Sequence, residues 1–296
     1  MIQYIEAKSI LSKLRQKDTW FGISWNMNLY RGCQHGCIYC DTRSECYGIN
    51  DISNISVKKN ALDLLRHELR SKRKNRGTIC TGSMNDPYMP VEKELQMTRK
   101  ALQIIANEKF PIHIITKSSL VERDMDVLQD ISKIYAAVSF SITTADDSLS
   151  QKIEPHAPPS SERFRALQRL AEKGIYTGVT LMPILPFIND SKENIANIVK
   201  QAKEAGASYI LHTFGVTLRK GSRDFFYKSL DEKFPCLKEK YQTLFGERYE
   251  CFSPNYKLLT NTFRELCGQY GISVRMQFYQ PEKYVQPTLF SLNPSY

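Results

Sequence analysis

The sequence lacks the short motifs that mark several common cofactor sites. It contains no GxxxxGK[ST] phosphate loop, no GxGxxG turn and no HExxH helix. The chain therefore does not match P-loop nucleotide-binding proteins, Rossmann dinucleotide-binding proteins or HExxH zinc enzymes. Long apolar runs are also lacking, since none reaches the roughly eighteen residues that a membrane-spanning helix needs. The N-terminus shows no positively charged start followed by an apolar stretch, so we expect a cytoplasmic protein.

Cysteine is too sparse to hold the fold together by disulfides. Eight cysteines in 296 residues do not make a disulfide scaffold, and three of them stand close together between positions 33 and 40. In a reducing cytoplasm, cysteines that are grouped in this way are expected to bind a metal rather than to form disulfides.

Acidic residues are outnumbered by basic ones. The chain has 41 Lys and Arg against 31 Asp and Glu, which gives a net charge of +10. This balance favours an anionic partner, and nucleic acid is the first candidate. The densest basic block, residues 72–76, also fits cations at the C-terminus of a helix, so the block alone does not identify a binding surface.

Strand-like and helix-like segments alternate along the chain, and no internal repeat or low-complexity linker interrupts them. Such alternation predicts an α/β protein with a parallel sheet that is covered on both faces. The predicted strands are residues 21–30, 78–82, 112–116, 136–142, 175–182 and 208–214. The predicted helices between them are residues 61–70, 92–109, 120–135, 160–173 and 191–205. From about residue 216 the pattern changes to aromatic-rich helical pieces at 224–230, 236–245 and 256–270, with a short strand predicted at 272–276.

Cys33, Cys37 and Cys40 form a CxxxCxxC run that lets one short loop surround a single metal centre. A [4Fe–4S] cube has four irons, each normally held by a thiolate, so three cysteines leave one iron open. An open position separates a catalytic metal site from a closed structural one. Two alternatives stay open on the residues alone. A closed zinc or iron–sulfur site could use Cys46 or His35 as its fourth ligand, or the cysteines could be metal-free core residues.

The CxxxCxxC run has an aromatic residue, Tyr39, just before its third cysteine, and so resembles the signature of the radical S-adenosylmethionine (SAM) superfamily. The resemblance implies a [4Fe–4S] cluster whose open iron chelates SAM, with Tyr39 among the residues of the SAM site. It implies reductive cleavage of SAM to a 5′-deoxyadenosyl radical, with electrons from a donor such as flavodoxin or ferredoxin.

The same resemblance implies a fold, namely a partial (β/α)6 TIM-like barrel of the radical SAM type with a C-terminal helical extension. Residues 1–20 would then be an N-terminal segment, residues 21–215 the barrel core, and residues 216–296 an extension that covers the barrel. Within the core, residues 81–92, 154–163 and 181–190 resemble segments of the spore photoproduct lyase family, in the same order.

The lyase resemblance implies roles for individual residues. Asn85 and Asp86 would contact the amino group of SAM, and Ser83 lies in the same SAM-binding loop. Lys117 would bind the SAM carboxylate, and Ser141 would contact the ribose or the carboxylate. On the residues alone, Asn-Asp-Pro is also ordinary turn chemistry, and a lysine at a strand end is often simply solvated.

One departure from the lyase pattern bears on the reaction. The lyases place a hydrogen-donating cysteine three residues before the Asp of Asp-Pro, and this chain has Ser83 there. A serine is a poor hydrogen-atom donor because its O–H bond is much stronger than an S–H bond. Cys80, three residues further upstream, is a weak catalytic candidate, and a buried strand cysteine explains it as well. We therefore expect a lyase-like enzyme whose reaction is not thymine-dimer repair.

The tail of the chain contains Gln286, Leu289 and Phe290 in a pattern that resembles the Gln-x-x-Leu-Phe motif of sliding-clamp-binding proteins. A Leu-Phe pair packed against the barrel is the simpler explanation. For the whole chain, the competing function is a non-catalytic nucleic-acid- or protein-binding module that is stabilised by zinc or by a closed cluster. Such a module would need four protein ligands, would not bind SAM and would unfold on chelation.

Overall fold

Strands and helices alternate through the first two-thirds of the chain, as the sequence predicts. The computed structural model describes residues 2–14, 16 and 18–281. The strands in these residues are β1 (Ile2–Ile5), β2 (Leu11–Lys13), β3 (Trp25–Met27), β4 (Tyr30–Arg31), β5 (Ile55–Lys58), β6 (Ile79–Thr81), β7 (Ile112–Thr116), β8 (Ala136–Ser141), β9 (Tyr176–Leu181), β10 (Tyr209–His212), β11 (Gly215–Thr217) and β12 (Glu250–Phe252). The helices are α1 (Ala61–Ser71), α2 (Glu92–Leu95), α3 (Met97–Asn107), α4 (Met125–Ser132), α5 (Asp147–Ile153), α6 (Ser160–Glu172), α7 (Lys192–Glu204), α8 (Ser222–Lys233), α9 (Leu237–Phe245) and α10 (Tyr256–Tyr270).

The central sheet has seven strands in the order β10-β9-β8-β7-β6-β3-β2. The strands from β3 to β10 run parallel, and each lies beside the next one along the chain. Parallel neighbours that are joined in chain order by helices wind in one direction, as in a TIM barrel. β2 pairs antiparallel with β3. Within the described residues β10 and β2 do not pair, so the predicted partial (β/α)6 barrel is confirmed.

The two faces of the sheet differ in polarity. All residues of β8 are buried, as expected for a parallel strand that is covered on both faces. Val138 and Phe140 join the main apolar core, together with side chains of the outer helices such as Ile195. Ser139 and Ser141 alternate with them and point to the opposite face, the barrel interior. The alternation therefore leaves polar side chains inside the barrel, where the strand ends meet.

The first predicted strand, residues 21–30, is wrong as a single element. It divides into β3, which pairs with β6 in the central sheet, and β4, which pairs with β5 in a separate sheet of order β1-β5-β4. Met27 and Tyr30 are both buried, but in different sheets. The sequence pattern does not reveal this change because strand pairing depends on distant partners.

The predicted helix at 92–109 is also divided. Gln96 has a left-handed backbone with φ of +52°, and it separates α2 from α3. The buried Glu92 carboxylate at the start of α2 accepts a hydrogen bond from Tyr30 and pairs with Arg123 at 2.9 Å. These contacts of Glu92 with distant residues hold α2, the first turn of the predicted helix, in place. They therefore decide how α2 is oriented relative to α3, and local helix propensity does not.

The residues that follow β10 pack in two places. α8, α9 and the two-stranded sheet of β11 and β12 cover the cysteine loop, with Phe226 and Tyr241 buried there. α10 packs on α7 and buries Phe263 in the main core. The predicted strand at 272–276 is only a bridge between Ser273 and Tyr209.

The predicted boundaries 1–20, 21–215 and 216–296 stay a prediction. β1 pairs with β5 and β2 pairs with β3, so the strands before residue 21 already belong to sheets of the core. The Gln-x-x-Leu-Phe segment around Leu289 lies outside the described residues. In the part of the chain that the structure describes, no helix combines the length and the apolar character needed to cross a membrane.

Candidate functional site

A cavity of about 470 Å³ opens at the carboxyl ends of the parallel strands. Residues that follow β6, β7, β8, β9 and β10 line one side of it, and the cysteine loop lines the other. In TIM-like barrels this edge carries the catalytic residues. Every residue that the sequence predicted to bind the cluster or SAM lines this cavity: Cys33, Cys37, Tyr39, Cys40, Ser83, Asn85, Asp86, Lys117 and Ser141.

Backbone hydrogen bonds hold the cysteine loop at this edge. Cys33 N donates to the Ile52 carbonyl at 2.7 Å, and Ile38 N donates to the Ile153 carbonyl at 3.0 Å. Gly32 has φ of +90°, and a Cβ at this position would lie 2.7 Å from the Ile52 carbonyl oxygen. Only glycine tolerates both the backbone angle and the close approach, so the backbone shapes the loop independently of any metal.

The three thiols of the loop are free cysteines. Burial raises the pKa of Cys33 to about 11, with the Asp86 carboxylate adding to the effect, and burial also raises the pKa of Cys37. Without metal these two thiols are protonated at neutral pH, so metal binding must displace their protons. Three cysteines on one cavity fit the three-thiolate donor set of a [4Fe–4S] cluster with one open iron.

Both candidate fourth ligands have other contacts. His35 Nε2 lies 3.1 Å from Asp86 Oδ2, and its Nδ1 lies 3.4 Å from the His156 carbonyl oxygen. Cys46 is exposed, and its sulfur lies 3.6 Å from the Arg219 guanidinium. Within the described residues, no three His, Cys, Asp or Glu side chains are grouped closely enough to hold one ion. The geometry there offers no single-ion cage for the zinc alternative.

A buried ion pair lies behind the cysteine loop. Tyr39 OH donates to one oxygen of Glu154, and the other oxygen lies 2.6 Å from Arg163 Nη2. Burial alone would raise the pKa of Glu154, but the charges of Arg163 and Lys117 outweigh burial and lower this pKa. Arg163 also donates to the Ser141 carbonyl at 2.8 Å. The pair therefore connects the cysteine loop to the end of β8.

Lys117 brings a positive charge into the cavity. Its ammonium lies 5.8 Å from the centre of the Tyr39 ring, and within residues 18–281 it forms no ion pair and no hydrogen bond. Burial alone would lower the pKa of Lys117, but the negative charges of Cys37 in its thiolate form and of Glu154 outweigh burial and raise it. The lysine is therefore charged once Cys37 has lost its proton, as metal binding requires. A charged and unpaired ammonium in a half-buried position is suited to an anionic group.

Polar groups from two strand ends complete the wall. Asn85 Nδ2 donates to the Tyr30 carbonyl at 2.8 Å, which orients the side-chain amide and leaves its oxygen without a partner in the described residues. Ser83 Oγ makes a single long hydrogen bond of 3.5 Å. Ser141 Oγ shares a hydrogen bond with Thr180 Oγ1 at 2.9 Å. Such amide and hydroxyl groups can bind an ammonium or a ribose.

Asp86 has more partners than its neighbours. Its Oδ1 accepts hydrogen bonds from Tyr88 N at 2.9 Å and from Thr116 Oγ1 at 2.7 Å. Its Oδ2 accepts a hydrogen bond from Lys117 N at 2.7 Å and lies 3.1 Å from His35 Nε2. Burial alone would raise the pKa of Asp86, but His35 and the hydrogen bonds outweigh burial and lower it to about 2. The carboxylate is charged and surrounded by donors of the protein itself.

Cys80 lies in β6 and is not among the described residues that line the cavity. It is fully buried, its sulfur lies 3.8 Å from the Thr81 carbonyl oxygen, and burial raises its pKa to about 12. Its partner in the sheet register is His113, whose Nε2 lies 2.8 Å from Ser139 Oγ. Ser139 Oγ lies 2.7 Å from Tyr209 OH. The sequence analysis did not identify this buried polar chain, although strand alternation is a signal for it.

Sequence reasoning also missed the contacts that α8 makes with the residues after the last cysteine. The Arg43 guanidinium lies 3.6 Å from the centre of the Phe225 ring. The next residue, Ser44, shares a hydrogen bond of 3.2 Å with Ser222. No local pattern could reveal these contacts, because the partners are separated by about 180 residues of sequence. The cysteine loop is therefore held in part by the C-terminal extension.

Comparison with known proteins agrees with this geometry. Residues 27–199 match the Radical SAM superfamily. An uncharacterized protein of Methanocaldococcus jannaschii is 31% identical over 226 residues, which cover 75% of this chain and 80% of the relative. An uncharacterized protein of Mycobacterium tuberculosis (strain H37Rv) is 28% identical over 279 residues, which cover 90% and 82%. The radical SAM Nalpha-GlyT isomerase of Pseudomonas phage M6 is 24% identical over 182 residues, which cover 62% and 37%.

Solved structures of spore photoproduct lyase share the fold. The lyase complexed with dinucleoside spore photoproduct has a TM-score of 0.68 at 16% identity, and the match covers 91% of this chain and 79% of the lyase. A lyase variant with bound AdoMet and the same dinucleoside has a TM-score of 0.70 at 15% identity, with 91% and 78% covered. The chain belongs to the radical SAM superfamily, and it is an enzyme with the fold of spore photoproduct lyase.

Proposed function

We propose that this enzyme binds SAM in the cavity that its three cluster cysteines line, with Lys117 holding the SAM carboxylate. The observation that carries the proposal is the Lys117 ammonium on the wall of that cavity, which has no ion-pair or hydrogen-bond partner among the residues that the structure describes. A [4Fe–4S] cluster and SAM, when bound there, supply a one-electron cleavage that yields a 5′-deoxyadenosyl radical. The residues of the chain bind and orient the sulfonium nucleotide and keep water away from the radical.

The remaining polar groups are assigned by their free hydrogen-bonding capacity. The Asn85 oxygen accepts from the SAM ammonium, assisted by Ser83 on the same loop. Ser141, at the end of β8, contacts the ribose or the carboxylate. Tyr39 packs beside the third cysteine and is oriented by its hydrogen bond to Glu154. Asn85 keeps its amide oxygen for the ligand, and the Ser83 and Ser141 hydroxyls each keep hydrogen-bonding capacity beside their one protein contact.

Anaerobic reconstitution tests the proposal. The reconstituted protein should contain iron and sulfide, and dithionite with SAM should then give 5′-deoxyadenosine. A flavodoxin or ferredoxin should replace dithionite as the electron donor. Cys37→Ala should make no 5′-deoxyadenosine, whereas Cys267→Ala, which changes a buried cysteine in the main core, should react like the wild type. Equal yields from Cys37→Ala and the wild type would refute the proposal.

A nucleic acid is the proposed substrate class. The net charge of +10 favours a polyanion. One structural relative is a lyase complexed with a dinucleoside photoproduct, and the phage relative is named as a GlyT isomerase. Thymine-dimer repair itself is not proposed, because Ser83 stands where the lyases have their hydrogen-donating cysteine.

Exposed aromatic side chains on and near β12, which pairs with the cavity-lining strand β11, support a substrate with flat bases. Gly215 lines the cavity, and a Cβ on it would lie 2.7 Å from the Phe252 ring, so Phe252 lies across its backbone. Phe252 is 43% exposed and Tyr256 is 40% exposed, with 5.5 Å between their ring centres. The Arg219 guanidinium lies 4.8 Å from the centre of the Tyr249 ring. Exposed rings and arginines are the groups on which single-stranded bases stack.

Fluorescence anisotropy with labelled single-stranded DNA and RNA of the same sequence tests the substrate class. Phe252→Leu should weaken binding by about fivefold to a hundredfold, because one base stack contributes about 1–3 kcal/mol. Tyr4→Leu is the matched control, since Tyr4 is an exposed aromatic residue on β1, outside the cavity lining. If the wild type binds neither oligonucleotide, the substrate class is wrong, although SAM cleavage can still be correct.

A further inference from the structure

Asp86 accepts three hydrogen bonds from the protein and has one further close contact, with His35. A carboxylate offers about four lone-pair positions, two on each oxygen. Tyr88 N and Thr116 Oγ1 approach Oδ1 at 2.9 and 2.7 Å. Lys117 N and His35 Nε2 approach Oδ2 at 2.7 and 3.1 Å. Although Asp86 lines the cavity, three of these positions accept hydrogen bonds from the protein, and His35 Nε2 lies against Oδ2 without hydrogen-bond geometry.

These donors come from three separate segments of the site. His35 belongs to the cysteine loop, Tyr88 to the loop after β6, and Thr116 and Lys117 to the end of β7. Hydrogen bonds to Asp86 join the loop after β6 to the end of β7, and losing them would leave buried donors without a partner. The 3.1 Å contact between Asp86 and His35 adds the cysteine loop to these two segments. The cysteine loop and the end of β7 are the segments that bring the cluster ligands and Lys117 together.

We infer that Asp86 is a positioning residue, which holds the cysteine loop against the end of β7 through His35 and does not bind the amino group of SAM. The inference rests on the proposed SAM site and refines it. The lyase resemblance implied an amine contact for both Asn85 and Asp86. The structure separates the two, because among the described residues Asn85 uses only its amide nitrogen, whereas Asp86 uses both oxygens.

A pair of ligands distinguishes positioning from amine binding. The probes are SAM and an analogue that lacks only the α-amino group, measured by equilibrium dialysis on the reconstituted full-length enzyme. Asp86→Asn should weaken both ligands by the same factor, about tenfold, since one or two hydrogen bonds within the site are lost. Asn85→Ala should weaken SAM more than the analogue, which shows that the assay detects an amine contact. A loss for SAM alone in Asp86→Asn would overturn the inference.

Hydrogen exchange supplies a readout that does not depend on SAM. In Asp86→Asn, amide exchange of residues 33–40 should be at least about tenfold faster than in the wild type. Asp190→Asn is the matched control, because Asp190 is also buried and accepts from Phe187 N and Ser253 Oγ at a different loop. The control should leave exchange at 33–40 unchanged. Unchanged exchange of this loop in Asp86→Asn would also overturn the inference.

The remaining outcomes are decisive as well. A folded Asp86→Asn variant that fails to retain the cluster supports the inference, since an amine ligand is not needed to hold iron. If Asp86→Asn does not fold, His35→Asn replaces it. This variant should speed amide hydrogen exchange at residues 33–40 and should leave the ratio of the affinities for SAM and for the deamino analogue unchanged. Unchanged exchange at residues 33–40 in His35→Asn would overturn the inference. If the wild type binds neither probe, the proposed SAM site fails, and the exchange comparison still decides the role of Asp86.

Discussion

Replacing Arg163 with methionine tests the buried ion pair behind the cysteine loop. Arg163 and Glu154 are both fully buried and lie 2.6 Å apart, so the substitution leaves a buried carboxylate without its cation. Removing one partner of such a pair costs about 3–5 kcal/mol. The guanidinium also donates to the carbonyls of Pro158 and Ser141, which places the expected loss in the upper part of that range. Urea unfolding of the full-length chain, followed by circular dichroism, measures this loss.

Two further variants locate the effect. Arg169 pairs with Glu122 at 2.5 Å but is half exposed, so Arg169→Met should cost at most about 1 kcal/mol. The double variant Arg163→Met with Glu154→Gln removes the uncompensated charge and should be more stable than Arg163→Met alone, by about 1–3 kcal/mol. If Arg163→Met costs no more than Arg169→Met, the reasoning about the buried pair is refuted.

The pH dependence of the same pair gives a second measurement. The folded-state pKa of Glu154 is lowered, whereas glutamate in an unfolded chain titrates near about 4.3. The contribution of the pair is therefore complete above the unfolded pKa and is lost as the pH falls through the lowered folded pKa. In Arg163→Met this contribution is missing, so stability should fall less steeply below about pH 4.3 than in the wild type.

Three further changes have defined outcomes. Lys117→Met should weaken SAM binding to the reconstituted enzyme by about tenfold to a hundredfold, because a hydrogen bond to a charged group contributes about 1.5–3 kcal/mol. An unchanged Kd for SAM in equilibrium dialysis would contradict the role assigned to Lys117. Burial lowers the pKa of His113 to about 3 in the folded protein, whereas histidine in an unfolded chain titrates near about 6.5. Folding therefore favours the neutral imidazole, and this contribution to stability is complete above about pH 6.5 and is lost as the pH falls toward 3. In His113→Asn the free energy of unfolding should therefore depend less steeply on pH between about 3 and 6.5. If urea midpoints measured across this range change with pH as in the wild type, the argument about His113 is wrong. Gly82→Ala should destabilise the protein by more than about 2 kcal/mol, because φ at Gly82 is +107° and a Cβ would overlap the Ile115 carbonyl oxygen. Gly174 has φ of +76° but open space around it, so the control Gly174→Ala should cost only about 1–2 kcal/mol. Thermal unfolding measures both losses.

The sequence predicts elements well where the local pattern is strong. β7 (Ile112–Thr116) and α10 (Tyr256–Tyr270) agree with the predicted boundaries residue for residue. A short β-branched run and a long amphipathic helix each carry their own signal. The segment 21–30 fails because its second half leaves the central sheet for β5, and the helix at 92–109 fails because a buried carboxylate fixes its first turn. Both failures are decided by contacts with distant residues.

The candidate site shows the same limit. The CxxxCxxC spacing, together with the resemblance to the spore photoproduct lyase family, identified side chains that line one cavity. They did not show which of these side chains are occupied by the protein. Asn85 and Asp86 are neighbours in sequence with similar chemistry, and only their contacts distinguish them. Arg163 and Glu154 were noticed as part of a family pattern, but the fact that they pair behind Tyr39 needed the fold.

The contacts of α8 with Arg43 and Ser44 have a consequence for how the protein matures. The thiols are encoded near position 40, but part of the structure that holds their loop lies at Ser222 and Phe225. On the ribosome the thiols therefore emerge long before the helix that steadies their loop has been synthesised. During this interval they are open to oxidation and to stray metal ions. A metal centre bound before residues 222–225 have been added would be held by a loop that still lacks both of these contacts.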